Sequence, residues 1–150
     1  MRSINVSDGG IPKLPRSSAW VDANGVEGDR QRDLRFHGGP NRAVSLYSFD
    51  LMQVLQDEGH PIAPGTIGEN MTLAGVDWSL MVPGARVRVG EVELELTAYA
   101  SPCRKISGSF ADGNSTRISQ KVHPGWSRVY ARVLHEGRIA TGDKISLTRT

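Results

Sequence analysis

The chain has 150 residues, with 18 basic and 16 acidic side chains for a net charge of +2, 38% hydrophobic residues and 23% charged ones. That length supports one domain with a continuous core rather than two with separate cores, and the balance favours a globular protein over a disordered or fibrous one. No basic block tracks a nucleic-acid backbone, no apolar run is long enough to span a bilayer, and Met1-Arg2-Ser3-Ile4-Asn5-Val6 lacks the apolar centre of a secretory signal. A cytoplasmic protein that engages neither nucleic acid nor membrane is therefore expected. The single cysteine excludes an internal disulfide and a multi-cysteine zinc site.

In chain order, residues 43–47 (Ala-Val-Ser-Leu-Tyr) read as a strand that runs into a helix capped by Ser48, whose apolar stripe is Phe49, Leu51, Met52 and Leu55 and which ends near Gly59. Residues 86–89 and 92–97 alternate apolar and charged side chains around Gly90-Glu91, the pattern of a hairpin with one face on the core. A weaker helical segment covers residues 116–122. Residues 129–134 and 144–148 read as further strands, separated by the turns Glu136-Gly137 and Gly142-Asp143. Seventeen glycines and eight prolines fit many turns, and no repeat or linker interrupts the chain. A mainly antiparallel β-barrel with one or two short helices, forming a single domain over residues 1–150, is the natural architecture.

Four segments offer chemistry. In residues 28–44, the pair Gly38-Gly39 lets backbone approach a ligand, and His37, Asn41 and Arg42 supply donors suited to an anion; the plainer reading is a tight loop entering a strand. In residues 64–72, Glu69 and Asn70 either aim a carboxylate and an amide into a cavity or, for Asn70, bond local turn backbone. Cys103 follows a strand and Pro102 and precedes Arg104 and Lys105, two cations that favour a thiolate, which is both a nucleophile and a ligand for a soft metal. A lone cysteine is otherwise commonly an inert core residue. Finally, Arg128, Tyr130 and Arg132 share one face of a strand, where they either grip a phosphate or pterin edge or simply face solvent.

Together and in this order these pieces resemble the MOSC family, named for the C-terminal domain of molybdenum-cofactor sulfurase. The resemblance rests on Gly28-Asp29, His37-Gly38-Gly39-Pro40-Asn41-Arg42-Ala43-Val44, Pro64-Gly65-Thr66-Ile67-Gly68-Glu69-Asn70, Pro102-Cys103-Arg104-Lys105, Gly125-Trp126, Tyr130-Ala131-Arg132-Val133 and Gly142-Asp143. Ile4-Asn5-Val6-Ser7 and Gly10-Ile11-Pro12-Lys13 look like the family's first strand and loop.

The resemblance implies a MOSC-type β-barrel that binds a molybdenum–pyranopterin cofactor, with Cys103 as the protein's ligand to the metal or as a sulfur carrier. It implies Asn41 and Arg42 at the cofactor phosphate, with Lys105, Arg128 and Arg132 as further candidates, Gly38 and His37 beside the cofactor, and Glu69, as a catalytic carboxylate, with Asn70 on the substrate side. Pyridoxal phosphate is not expected to bind, since no desulfurase domain is present. Nor are an iron–sulfur cysteine set, a MOSC-associated N-terminal domain or a C-terminal helical extension, so electrons or sulfur are expected from a redox or sulfur-donor protein. The implied activity is reduction of N-hydroxylated small molecules. The alternatives are a non-catalytic carrier of the cofactor or its sulfur, and a metal-free persulfide relay at Cys103.

Overall fold

A computed structural model describes residues 1–29 and 40–148. It opens with β1 (Ser3–Val6), β2 (Leu14–Arg16), β3 (Ser18–Asp22) and β4 (Gly25–Val26), followed by β5 (Val44–Ser48), the helix α1 (Phe49–Asp57) and β6 (Met71–Leu73). The hairpin β7 (Arg86–Val89) and β8 (Val92–Ala100) comes next, then β9 (Arg128–His135), β10 (Gly137–Ala140) and β11 (Ile145–Thr148).

The hairpin forms where the alternation predicts it. Val87 pairs with Leu94 and Val89 with Val92, putting four fully buried side chains on the core while Arg86, Arg88, Glu93 and Glu95 face outward. Gly90 supplies the positive φ of 56° that a two-residue turn with glycine first requires. In α1, Ser48 accepts from Leu51 N–H at 3.0 Å, and Met52 and Leu55, one turn apart, bury their side chains completely. Each such burial contributes about 2 kcal/mol relative to exposure.

Residues 116–122 do not extend into a helix. One 3-10 turn forms over Ser115–Ile118, and the backbone is already extended at Ser119. β-branched Thr116 and Ile118 and the short run leave too few hydrogen bonds to offset helix nucleation.

Eight strands form one sheet in the order β11-β7-β8-β9-β5-β6-β1-β2, and β10-β3-β4 form a second. Among the described residues every neighbouring pair of strands is antiparallel except β5 and β6, which run parallel through Leu46 and Met71. The mainly β architecture expected from the sequence holds. Among the described residues its hydrogen-bonded ladder does not close into a ring, however: β11 and β2 are end strands with no described partner beyond them, and the chain splits between two sheets. The sheets are joined where Ser17 separates β2 from β3 and where Glu136 separates β9 from β10.

Among the three tryptophans, Trp78 is core and donates through its indole N–H to Ser127 O at 2.8 Å. Trp126 stacks under the Arg117 guanidinium at 3.9 Å, and Trp20 is 36% exposed. Among the described residues no helix is long and apolar enough to cross a membrane.

Candidate functional site around Cys103

Cys103 stands three residues beyond β8 on extended backbone, with φ −136° and ψ 175°, ahead of a 3-10 turn over Arg104–Ser109. Its thiol is exposed and makes no capping hydrogen bond, whereas its carbonyl accepts from Ile106 N–H at 3.2 Å and from the Ser115 hydroxyl at 3.4 Å. The main chain is held and the sulfur is presented outward. Arg104 and Lys105 follow it, both exposed.

Behind this ribbon lies Arg128, the first residue of β9, paired in register with Ala100 and only 7% exposed. Its Nη1 donates to Ile67 O at 2.8 Å and its Nη2 to Ser101 O at 3.1 Å. Its Nε is buried with no hydrogen-bond partner among the described residues. Burial pulls the guanidinium below the usual arginine value, while the negative charges that Tyr130, Cys103, Glu69 and Tyr47 can carry act in the opposite direction. One cation therefore ties the cysteine ribbon to the loop ahead of β6 and feels the thiol electrostatically.

Tyr130, two residues along β9, is 8% exposed, and the Arg42 guanidinium lies over its ring at 5.1 Å. Arg42 comes from the exposed 3-10 turn Pro40–Arg42. That turn docks where the β8–β9 register shifts between Leu96 and Ala98: the skipped residue, Thr97, donates its hydroxyl to Asn41 O. The bulge re-aims a side chain, and here the re-aimed hydroxyl holds the turn that carries Asn41 and Arg42. Cys103, Arg128, Tyr130 and Arg42 are thus linked through the start of β9.

Other residues singled out in the sequence stand elsewhere. Arg132, two residues beyond Tyr130 on β9, is held by Glu95, with Nη2 at 2.6 Å and Nε at 2.8 Å from the same carboxylate oxygen. Asn70 is fully buried; its Oδ1 accepts from Ser45 N–H at 3.0 Å, and its Nδ2 donates to Asp29 Oδ2 at 2.8 Å and to Asn5 O at 3.3 Å. Neither reading of Asn70 as a local turn bond nor as a cavity group describes it: it joins β1, β5 and Asp29. His37 and Gly38 lie outside the described residues.

Glu69 is fully enclosed. Its carboxylate accepts from Gly65 N–H at 3.1 Å and from the Thr72 hydroxyl at 2.8 Å, and burial pushes its pKa up to about 7 despite these bonds. In this structure it faces the interior and not a substrate surface. Gly65 is required beside it, because a Cβ there would lie 2.1 Å from Lys13 O and φ is +86°. Nearby, Lys13 and Asp29 form an ion pair at 2.6 Å with side chains 8% and 5% exposed, and Asp29 also accepts from Ser7 N–H at 3.0 Å. Sequence reasoning named Lys13 and Asp29 only as parts of family motifs and did not foresee their pairing, and it passed over Thr97; Tyr130 was signalled by its spacing from Arg128 and by the motif Tyr130-Ala131-Arg132-Val133.

Among the described residues no group of three or more His, Cys, Asp and Glu side chains could hold a metal ion. The donor set at Cys103 fits a soft metal that brings most of its own ligands: one exposed sulfur, backed by a buried guanidinium with an orphaned N–H and flanked by further cations.

The family model described as the MOSC domain matches residues 33–146. The chain is 31% identical over 140 residues to the uncharacterized protein YflK of Bacillus subtilis, covering 92% of this chain and 62% of that protein. It is 26% identical over 128 residues to YiiM of Escherichia coli, covering 82% and 56% respectively. It thus spans less than two thirds of the length of either curated relative. The fold is similar to the crystal structure of YiiM from Geobacillus stearothermophilus, with a TM-score of 0.72, 23% identity and coverage of 98% of this chain and 73% of that one. It is likewise similar to the YUAD protein of Bacillus subtilis, with a TM-score of 0.73, 20% identity and coverage of 97% and 93%.

Proposed function

The chain belongs to the MOSC domain family, which is generally associated with molybdenum cofactor binding, and from that membership we propose that it binds a molybdenum–pyranopterin cofactor through Cys103 and reduces N-hydroxylated small molecules. The observation that carries this reading is the exposed Cys103 thiol on a ribbon fastened by buried Arg128. When bound, the cofactor supplies two-electron redox chemistry at a metal able to accept an oxygen atom.

The chain's own residues have distinct tasks in this proposal. Cys103 gives one thiolate, which suits a soft metal. Arg128 fixes the ribbon through Ser101 O and places positive charge behind it, which complements an anionic ligand. Asn41, Arg42 and Lys105, all exposed, take the cofactor phosphate. Glu69 and Asn70 hold the wall formed by residues 65–70 rather than touching substrate.

The net reaction converts R–NHOH, two electrons and two protons into R–NH2 and water, with the electrons arriving from a separate redox protein. Protein purified from cells that make the cofactor, given a chemical electron donor, is expected to reduce a hydroxylamine or amidoxime; no turnover at full metal loading rejects the reductase reading.

The outward exposure of Cys103 favours a second reading, in which the chain carries the cofactor or a sulfur atom to a partner enzyme. That reading predicts bound pterin without reductase activity, and activation of an apo-enzyme on mixing.

A further inference from the structure

We propose that a second site, at the seam between the two sheets, binds a phosphate group between Arg2 and Arg16. A cleft of about 490 Å³ opens there, with Arg2, Pro15, Arg16, Ser17, Pro64 and Thr141 in its lining. The ladder brings the two arginines together. Ile4 pairs with Arg16, and Arg2 N–H continues the β1–β6 ladder by donating to Thr72 O at 2.9 Å, so Arg2 lies diagonal to Arg16 on the same face, about 7 to 8 Å away by strand geometry.

Each guanidinium is positioned. Arg2 lies over the Phe49 ring at 4.9 Å. Arg16 lies across Gly28, where a Cβ would meet its guanidinium atoms at 2.7 to 2.8 Å; glycine leaves room for it. Among the described residues neither arginine forms an ion pair and no acidic side chain lines the cleft. Two like charges held on one face of a strand pair repel, and an oxyanion between them turns that repulsion into two charge-assisted hydrogen bonds. The rings of Pro15 and Pro64 offer an apolar wall to the body of a small phosphate ester. Ser17 O accepts from Thr141 N–H at 3.0 Å and from its hydroxyl at 3.3 Å, so an occupant touches the bridge between the sheets. The cleft shares no lining residue with the group around Cys103.

The test is titration of the full chain with inorganic phosphate and with phenyl phosphate, at matched ionic strength, read by calorimetry and by the amide resonances of Ser17 and Thr141. Saturable binding is expected, with R2Q and R16Q each lowering affinity about tenfold, as for loss of one charge-assisted bond. Both side chains are exposed, so both variants should retain the wild-type circular dichroism spectrum. Tighter binding of phenyl phosphate assigns the site to an ester, and equal binding assigns it to free phosphate. Absence of saturation, or affinity unchanged in both variants, overturns the proposal.

Discussion

Arg128 donates through Nη2 to the carbonyl of Ser101 at 3.1 Å, two residues ahead of Cys103, and so fixes the ribbon that presents the thiol to the first residue of β9. Its Nη1 reaches Ile67 O at 2.8 Å, so one planar cation spans two loops. Arg128→Met should destabilise the fold by about 3 kcal/mol, because the buried Ile67 carbonyl and the part-buried Ser101 carbonyl both lose charge-assisted donors. Arg128→Lys, with one ammonium in place of a fork, should fall between the two. Urea unfolding of the three proteins checks the order, and equal midpoints would contradict it.

Cys103→Ser should leave stability within about 0.5 kcal/mol of wild type, as expected of an exposed side chain whose thiol caps nothing. Thermal unfolding measures this directly. A loss of several degrees would mean that the sulfur is a packing element and not a presented ligand.

Glu69 predicts a pH dependence with a definite sign. Its folded pKa is about 7 against an ordinary value of 4.5, so the folded state holds a proton that the unfolded chain gives up. The stability contributed by Glu69 is fully present below about 4.5 and is lost as pH rises toward 7, by an amount on the order of 3 kcal/mol. Glu69→Gln cannot ionise. Stability curves of wild type and variant between these limits should therefore diverge, the wild type losing more as pH rises; parallel curves would refute the buried-carboxylate account.

The Lys13–Asp29 pair, almost wholly enclosed, predicts a large asymmetry. Asp29→Ala strands a buried ammonium, leaves Ser7 N–H without its acceptor and reduces Asn70 Nδ2 to its longer bond to Asn5 O, which should cost about 3 to 5 kcal/mol. Adding Lys13→Met to that variant should recover part of the loss by removing the uncompensated charge. Chemical denaturation of the single and double variants decides the point: no recovery would place the whole cost in the hydrogen bonds.

The β7–β8 hairpin and α1 were legible because their information is local. Alternation around Gly90-Glu91 and a Ser48 cap ahead of Met52 and Leu55 state the element and its buried face within a dozen residues. The placement of Cys103 just past a strand was legible too, since a strand end, a proline and two cations surround it in the chain. The fate of Asn70 was not, because its partners come from β1, β5 and Asp29 at long range; those of the Glu69 carboxylate, Gly65 N–H and the Thr72 hydroxyl, are near in the chain, but no local pattern states that this turn is enclosed. Arg128, Tyr130 and Arg132 share a face by period, yet the first two are buried and the third is not. That difference is set by what covers each: the Ile67 and Ser101 carbonyls over Arg128, Arg42 over the Tyr130 ring, and only Glu95 at Arg132. Alternation gives the face and not its neighbours.

The most direct test of the central proposal is the molybdenum and pterin content of the protein purified from cells with an intact cofactor pathway, wild type beside Cys103→Ser. Molybdenum stoichiometric with the wild-type chain and lost from the variant is the predicted result. A wild-type protein without molybdenum, or a variant that retains it in full, would contradict the assignment of Cys103 as the ligand.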